Sequence, residues 1–312
     1  MIQFLDLHKI NKRFESDFQK VLRESMNASS YILGPNVAQF ESEFATYCGS
    51  KYCIGVANGL DALTLIIKGY VHLGKLEKGD KVMVPANTFV ATVLSVIHAG
   101  LEPVFVEPNE KTFNLDSDHV KNTFSKDIKA IIMVHLYGQL ADVDAFEEFC
   151  KSHDILLIAD AAQAHGAKHN QNRAGSFTDA AAFSFYPSKN LGALGDGGAI
   201  TTSDENLNKV IRLLRNYGSE KKYENELVGY NSRLDDIQAA FLRVKLKTLD
   251  KDNERRRAIA KRYLNEIQNP KIKLPYYDGS DRHVFYAFVA KVSDREGFQS
   301  FLDTHEVGCL IH

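Results

Sequence analysis

Tryptophan is absent from the 312 residues, and the four cysteines, Cys48, Cys53, Cys150 and Cys309, show no C-x-x-C spacing. So few thiols exclude a disulfide scaffold and fit small buried apolar residues in a reduced compartment, the cytoplasm. An excess of either charge is also missing. Thirty-eight Lys plus Arg face forty Asp plus Glu, a net of −2, which argues against wholesale binding to nucleic acid or to an anionic membrane surface. Apolar runs such as Ala130-Ile131-Ile132-Met133-Val134 fall far short of the ~20 residues that cross a bilayer. The opening Met1-Ile2-Gln3-Phe4-Leu5-Asp6 lacks the basic segment and long apolar run of a secretion signal. No G-x-G-x-x-G fingerprint, no G-x-x-x-x-G-K-[ST] loop and no H-E-x-x-H occurs, which leaves dinucleotide, nucleoside-triphosphate and metal sites unsupported.

What is present is a globular composition, 44% hydrophobic and 25% charged, which excludes intrinsic disorder. The length allows a large domain plus a smaller one. Short β-branched runs at 52–56, 81–84, 103–106, 129–134, 155–159, 180–185 and 198–202 alternate with amphipathic stretches such as 61–73, 89–99 and 143–153. Several runs are continuously apolar, as strands covered on both faces are. The pattern predicts an α/β fold with a mostly parallel sheet and helices on both sides. We assign 1–245 to the large domain and 246–312 to a smaller C-terminal α+β domain. Residues 233–268 read as one long helix or two in succession, with Leu234, Ile237, Phe241 and Val244 as its buried stripe. Arg255-Arg256-Arg257 reads as a solvated face of that segment, and 283–292 as a strand of the small domain. The chain stops inside the apolar run Gly308-Cys309-Leu310-Ile311-His312, so truncation is expected.

Four features fall at predicted strand ends, where open α/β sheets bind ligands. Asn58-Gly59-Leu60-Asp61-Ala62 starts a helix whose free amides can hold a phosphate; the plainer reading makes Asp61 a helix cap. Asp160 ends a fully apolar strand, where a carboxylate needs a cationic partner or caps the next turn. Lys189 follows the aromatic strand end Phe183-Ser184-Phe185-Tyr186; most lysines are solvated, but one held here can serve as an amine nucleophile. The fourth is the glycine-dense loop Gly192-Ala193-Leu194-Gly195-Asp196-Gly197-Gly198. A phosphate cradle, a buried acid for a ring nitrogen and a lysine are together the parts that a pyridoxal phosphate site requires.

The runs FSFYPSKNLGALGDGGAITT, ADAAQAHGA, GYNSRLDDIQAA and PANTFVATVLSVIHAGLEPVFVE resemble the DegT/DnrJ family of nucleotide-sugar aminotransferases. The resemblance covers essentially the whole chain and implies the aspartate-aminotransferase (type I) fold, with pyridoxal 5'-phosphate as cofactor. It makes Lys189 the Schiff-base lysine and proton carrier. Asp160 becomes the partner of the pyridine nitrogen, and Gln163 the neighbour of the phenolic oxygen. Gly59, Leu60, Asp61 and Ser184 become the phosphate cradle, and Phe89 a ring-packing aromatic whose plainer reading is ordinary core. Asn231 would reach the phosphate from the partner subunit of a homodimer. Tyr186, His165 and Tyr286 are the expected substrate contacts, Tyr286 standing where the family carries a histidine; a tyrosine can donate a hydrogen bond but will not be cationic near neutral pH.

The reaction implied is ping-pong transfer from L-glutamate to a keto sugar on a nucleoside diphosphate. The loop from Asn190 to Gly198 is similar to members acting at C3 of dTDP-3-keto-6-deoxyhexoses, in surface-glycan or antibiotic sugar synthesis. Action at C4, or on a UDP-linked sugar, is the alternative. A dehydratase of the same fold tends to carry histidine where Lys189 stands. A non-catalytic regulator finds no DNA-binding module, and a nicotinamide oxidoreductase finds no glycine fingerprint.

Overall fold

Seven strands form one sheet: β1 (Tyr52–Val56), β2 (Lys81–Pro85), β3 (Glu102–Val106), β4 (Ile128–Val134), β5 (Leu156–Asp160), β6 (Ala180–Ser184) and β7 (Gly198–Thr202). The computed structural model describes residues 1–221 and 223–312. The spatial order is β1-β7-β6-β5-β4-β2-β3. Strands β3, β2, β4, β5 and β6 run parallel, and β7 is antiparallel to both neighbours. The α/β class and mostly parallel sheet read from the sequence are therefore observed.

Burial on both faces explains the continuous apolar runs. Along β6, Ala180 and Ala182 join the core that contains Ile54, Ile132 and Ile200, while Ala181 and Phe183 join the opposite core with Phe40 and Phe44. That is the period of two that a pleated strand imposes. Helix Gly59–His72 covers the first face and Pro35–Cys48 the second. Cys48, Cys53 and Cys150 are buried free thiols. Among the described residues, no helix is long and apolar enough to cross a membrane.

Three sequence readings change. The 233–268 segment is two helices, Asp236–Leu246 and Leu249–Glu266, and the expected stripe divides. Ile237, Phe241 and Val244 pack with Phe14 and Phe18, whereas Leu234, Ala239 and Leu242 face the main core. The Arg255-Arg256-Arg257 run is not simply solvated: Arg257 pairs with Asp281 at 3.2 Å, and Arg256 Nη1 lies 3.4 Å from the Phe285 carbonyl oxygen. The strand expected over 283–292 is confined to Lys291–Val292, paired with Ile272–Lys273. Phe285 adopts a φ of 46°, a left-handed conformation that no extended strand accepts.

Strand β1 lies at an edge, and side chains satisfy its free backbone groups. Glu41 Oε1 accepts from the Gly55 N–H at 2.8 Å and pairs with Arg215 at 2.5 Å; Glu41 Oε2 pairs with Arg212 at 2.9 Å. Arg215 also donates to the Gly55 carbonyl. Breaking a buried pair from one side leaves a charge uncompensated, at a cost of about 3–5 kcal/mol. Glu41→Ala is accordingly expected to lower the urea-unfolding free energy by that amount. A loss under about 1 kcal/mol would show that the arginines find solvent.

Candidate active site

The parallel strands place their carboxyl ends along one rim of the sheet. Asp160 is the last residue of β5 and only 7% exposed. Its Oδ2 accepts from Thr92 Oγ1 at 2.8 Å and its Oδ1 from the Ala162 N–H at 3.1 Å. The carboxylate therefore caps the turn that follows β5 and keeps its other oxygen on Thr92. Burial raises its pKa, opposed by those hydrogen bonds and by the Lys189 charge. Among the described residues, no Lys, Arg or His lies within ion-pairing distance of it. A buried carboxylate so placed favours a cationic group beside it.

Lys189 follows the neighbouring strand β6. Its N–H donates to the Tyr186 carbonyl at 2.8 Å, and its Nζ stands 4.4 Å above the centre of the Tyr286 ring. The Tyr286 hydroxyl lies 3.4 Å from Ser188 Oγ. Past the lysine, Lys245 Nζ donates to the Gly192 carbonyl at 2.6 Å, so the glycine-dense loop is held from beneath. Burial, with Arg13 and Arg256 nearby, pulls the Lys245 pKa down to about 8.

The turn before helix Gly59–His72 abuts β6. The cap is Asn58, whose Oδ1 accepts from the Asp61 N–H at 2.8 Å, and not Asp61 itself. The Asp61 amide is thus committed, while those of Gly59 and Leu60 lack intrahelical acceptors. Gly59 is required because a Cβ there would come within 2.8 Å of Ser184 Cβ. Two free amides and the Ser184 side chain consequently share one small region.

The remaining sequence candidates separate clearly. Gln163 Oε1 accepts from the Tyr137 N–H at 2.6 Å, on the rim beside Asp160. Phe89 is 66% exposed, so ordinary core packing is ruled out for it. Tyr186 is 56% exposed, and Asn231 is exposed at an isolated bridge to Asn216. His165 is a correction: it is 0% exposed and packed between Phe183 and Phe185, so no substrate can touch it. The sequence reading missed Thr92, Ser188 and Tyr137. Tyr137, with φ 59°, packs edge-on to Phe113 and His312. Among the described residues, no group of three His, Cys, Asp or Glu could hold a metal.

Burial holds the rings of His135, His165 and His283 down at about 3. In the unfolded chain each titrates near 6.5, so unfolding below that pH takes up protons the folded rings refuse. Their stabilising effect is complete above pH 6.5 and is lost as pH falls towards 3. Each ring adds about 1.4 kcal/mol per pH unit. The urea-unfolding free energy should therefore fall by several kcal/mol between pH 7 and 5. A flat profile would show that the folded rings accept protons.

A buried acid with no cation in ion-pairing distance, a lysine just past the adjacent parallel strand and a free-amide turn against a serine fit pyridoxal phosphate. This fold and rim define the class of pyridoxal-phosphate aminotransferases. The chain belongs to the DegT/DnrJ/EryC1/StrS aminotransferase family, whose profile matches residues 12–312. It is 51% identical over its full length, and over 85% of the relative, to dTDP-3-amino-3,6-dideoxy-alpha-D-galactopyranose transaminase of Aneurinibacillus thermoaerophilus. Its fold superposes with a TM-score of 0.94 on S. venezuelae DesV in complex with a ketimine intermediate, at 41% identity, covering 98% of this chain and 82% of that one. A second neighbour is NtdA of Bacillus subtilis with bound cofactor PMP: TM-score 0.88, 32% identity, covering 97% and 70%.

Proposed function

We propose that the protein transfers the amino group of L-glutamate to C3 of a dTDP-3-keto-6-deoxyhexose. The product would be a dTDP-3-amino-3,6-dideoxyhexose for a surface glycan or an antibiotic. The observation that carries the chemistry is Asp160, a buried carboxylate without a cation, at the end of the strand beside the one that leads to Lys189. The sugar and nucleotide rest on the 51% identity to a transaminase named for such a product.

When bound, pyridoxal phosphate supplies an aldehyde that condenses with amines and a ring that accepts the electron pair released from carbon. Asp160 would hold the ring nitrogen protonated by charge and hydrogen bond. Lys189 would hold the cofactor and could move a proton at its Nζ. The amides of Gly59 and Leu60 with Ser184 would hold the phosphate. Gln163, fixed by the Tyr137 amide, would lie by the phenolic oxygen, and Phe89 would offer an aromatic surface to the ring. Tyr186 and Tyr286 would contact the sugar.

The working unit in this reading is a cytoplasmic homodimer with Asn231 reaching the partner's phosphate site. The exposure of Phe89, Tyr186 and Asn231 on the single chain supports it. Mixing Lys189→Ala with Asn231→Ala subunits should then rebuild roughly a quarter of the sites, in mixed dimers; no recovery on subunit exchange would count against a shared site. Incubation with glutamate and a panel of keto-sugar nucleotides, followed by mass spectrometry, tests the reaction. Amine at C3 of a dTDP-hexose with one 2-oxoglutarate per product is expected. Preference for a 4-keto or UDP-linked sugar would overturn the substrate assignment.

A further inference from the structure

We propose that Asn253 is a positioning residue that sets the spacing between the Asp160 and Lys189 segments from outside both, touching neither cofactor nor substrate. The inference rests on the reading that these two side chains serve one bound ring. Asn253 sits in helix Leu249–Glu266, beyond the sheet, and is 1% exposed. Its Nδ2 donates to the His165 carbonyl at 2.8 Å, on the loop that carries Asp160 and Gln163. Its Oδ1 accepts from Asn190 Nδ2 at 2.9 Å, and Asn190 is the residue next to Lys189. A single side-chain amide therefore ties both loops at the rim.

The tie extends to the substrate side, because Asn190 Nδ2 also donates to the Val284 carbonyl at 3.2 Å, just before Tyr286. Asn190 Oδ1 has no partner among the described residues. Those two donor contacts fix the Asn190 amide, and losing Asn253 leaves it held only by the longer contact to Val284. The anchor itself is firm. One turn earlier, Asp250 takes hydrogen bonds from Tyr47 Oη and Arg173, each at 2.6 Å. Gly166 leaves room for the amide, since a Cβ there would approach Asn253 Nδ2 to 2.7 Å. Reacting groups tolerate little displacement: about 1 Å can cost on the order of 10²-fold in rate.

The test uses the full chain loaded with pyridoxal phosphate, comparing wild type with Asn253→Ala, Asn190→Ala and the double variant. Readouts are the pH midpoint of the visible cofactor band, the single-turnover rate with glutamate per bound cofactor, and the thermal midpoint. Each single variant is expected to shift the band midpoint by about half a pH unit or more and to slow the turnover roughly 10–100-fold. The double variant should be little worse than the singles, because both remove one tie. Variants that melt earlier but keep the wild-type band midpoint and turnover would overturn the proposal and leave Asn253 a purely structural residue. If Asn253→Ala does not fold, Asn190→Ala decides, since it keeps the Asn253–His165 bond. Wild-type protein that takes up no pyridoxal phosphate would overturn the underlying reading as well, a result distinct from unshifted variants.

Discussion

Lys189→Ala is expected to abolish the visible absorption of the cofactor-loaded protein and to lower amine transfer by at least on the order of 10⁴-fold. In the proposed reading two roles are lost together: the amine that would bind the cofactor at rest and the base that would move the proton, the latter alone contributing about 10²–10⁴-fold. The groups near Nζ are the Tyr286 ring beneath it, the Tyr286 and Ser188 hydroxyls, the fully buried His165 and the His312 imidazole, whose pKa burial and the Lys189 charge both lower. A neutral hydroxyl is a weak base, and burial keeps the His165 ring neutral, away from solvent. The fold should survive, because Lys189 shows no ion pair and its backbone bond to Tyr186 is indifferent to the side chain. Borohydride treatment of the wild type should leave the cofactor's mass on the peptide containing Lys189. Modification of a different lysine, or a variant retaining more than a hundredth of the activity, would sink the assignment.

How far the sequence alone reaches follows from which interactions are local. A strand buried on both faces must be apolar at nearly every position, so β4 and β5 announce themselves, and an acid closing such a run, Asp160, stands out as unusual. Lys189 is different: its place between an aromatic strand end and a glycine-dense loop makes it a candidate, and only the motif resemblance gives it a role. The partners that complete the rim are not local at all. Thr92 stands 68 positions from Asp160, and Asn253 stands 88 from His165; no periodicity in the chain relates them. The misreadings have physical causes too. The resemblance names His165 a substrate contact, but the core buries it completely and keeps its ring neutral. The aromatic and β-branched residues of 283–292 suit a strand, yet His283 stacks on Phe285 at 3.7 Å and the positive φ of Phe285 turns the chain instead.

Asp160→Asn is expected to separate activity from stability in opposite directions. The substitution keeps size and shape while removing the charge that, in the proposed reading, holds the ring nitrogen protonated. Amine transfer should fall on the order of 10²–10⁴-fold, with pyridoxal phosphate still bound through Lys189 and the phosphate turn. In the cofactor-free protein the same change should raise the thermal midpoint at pH 7. Burial lifts the Asp160 pKa above its ordinary value, so the ionised carboxylate is a net cost to the folded state near neutrality, a cost relieved as pH falls through the raised folded-state value. An asparagine is free of that cost. Its Oδ1 can still accept from the Ala162 amide, and its NH2 can face Thr92 Oγ1, whose hydroxyl is free to turn and accept while staying near Thr88. Sites shaped for chemistry commonly give up stability in this way. Calorimetry of the apo-protein and single-turnover kinetics of the loaded protein measure the two halves independently. Activity within tenfold of wild type would mean that no ring nitrogen depends on Asp160, and the opposed acid–lysine arrangement would lose its meaning. A lower apo midpoint would instead show that the carboxylate is ionised and well compensated before the cofactor arrives.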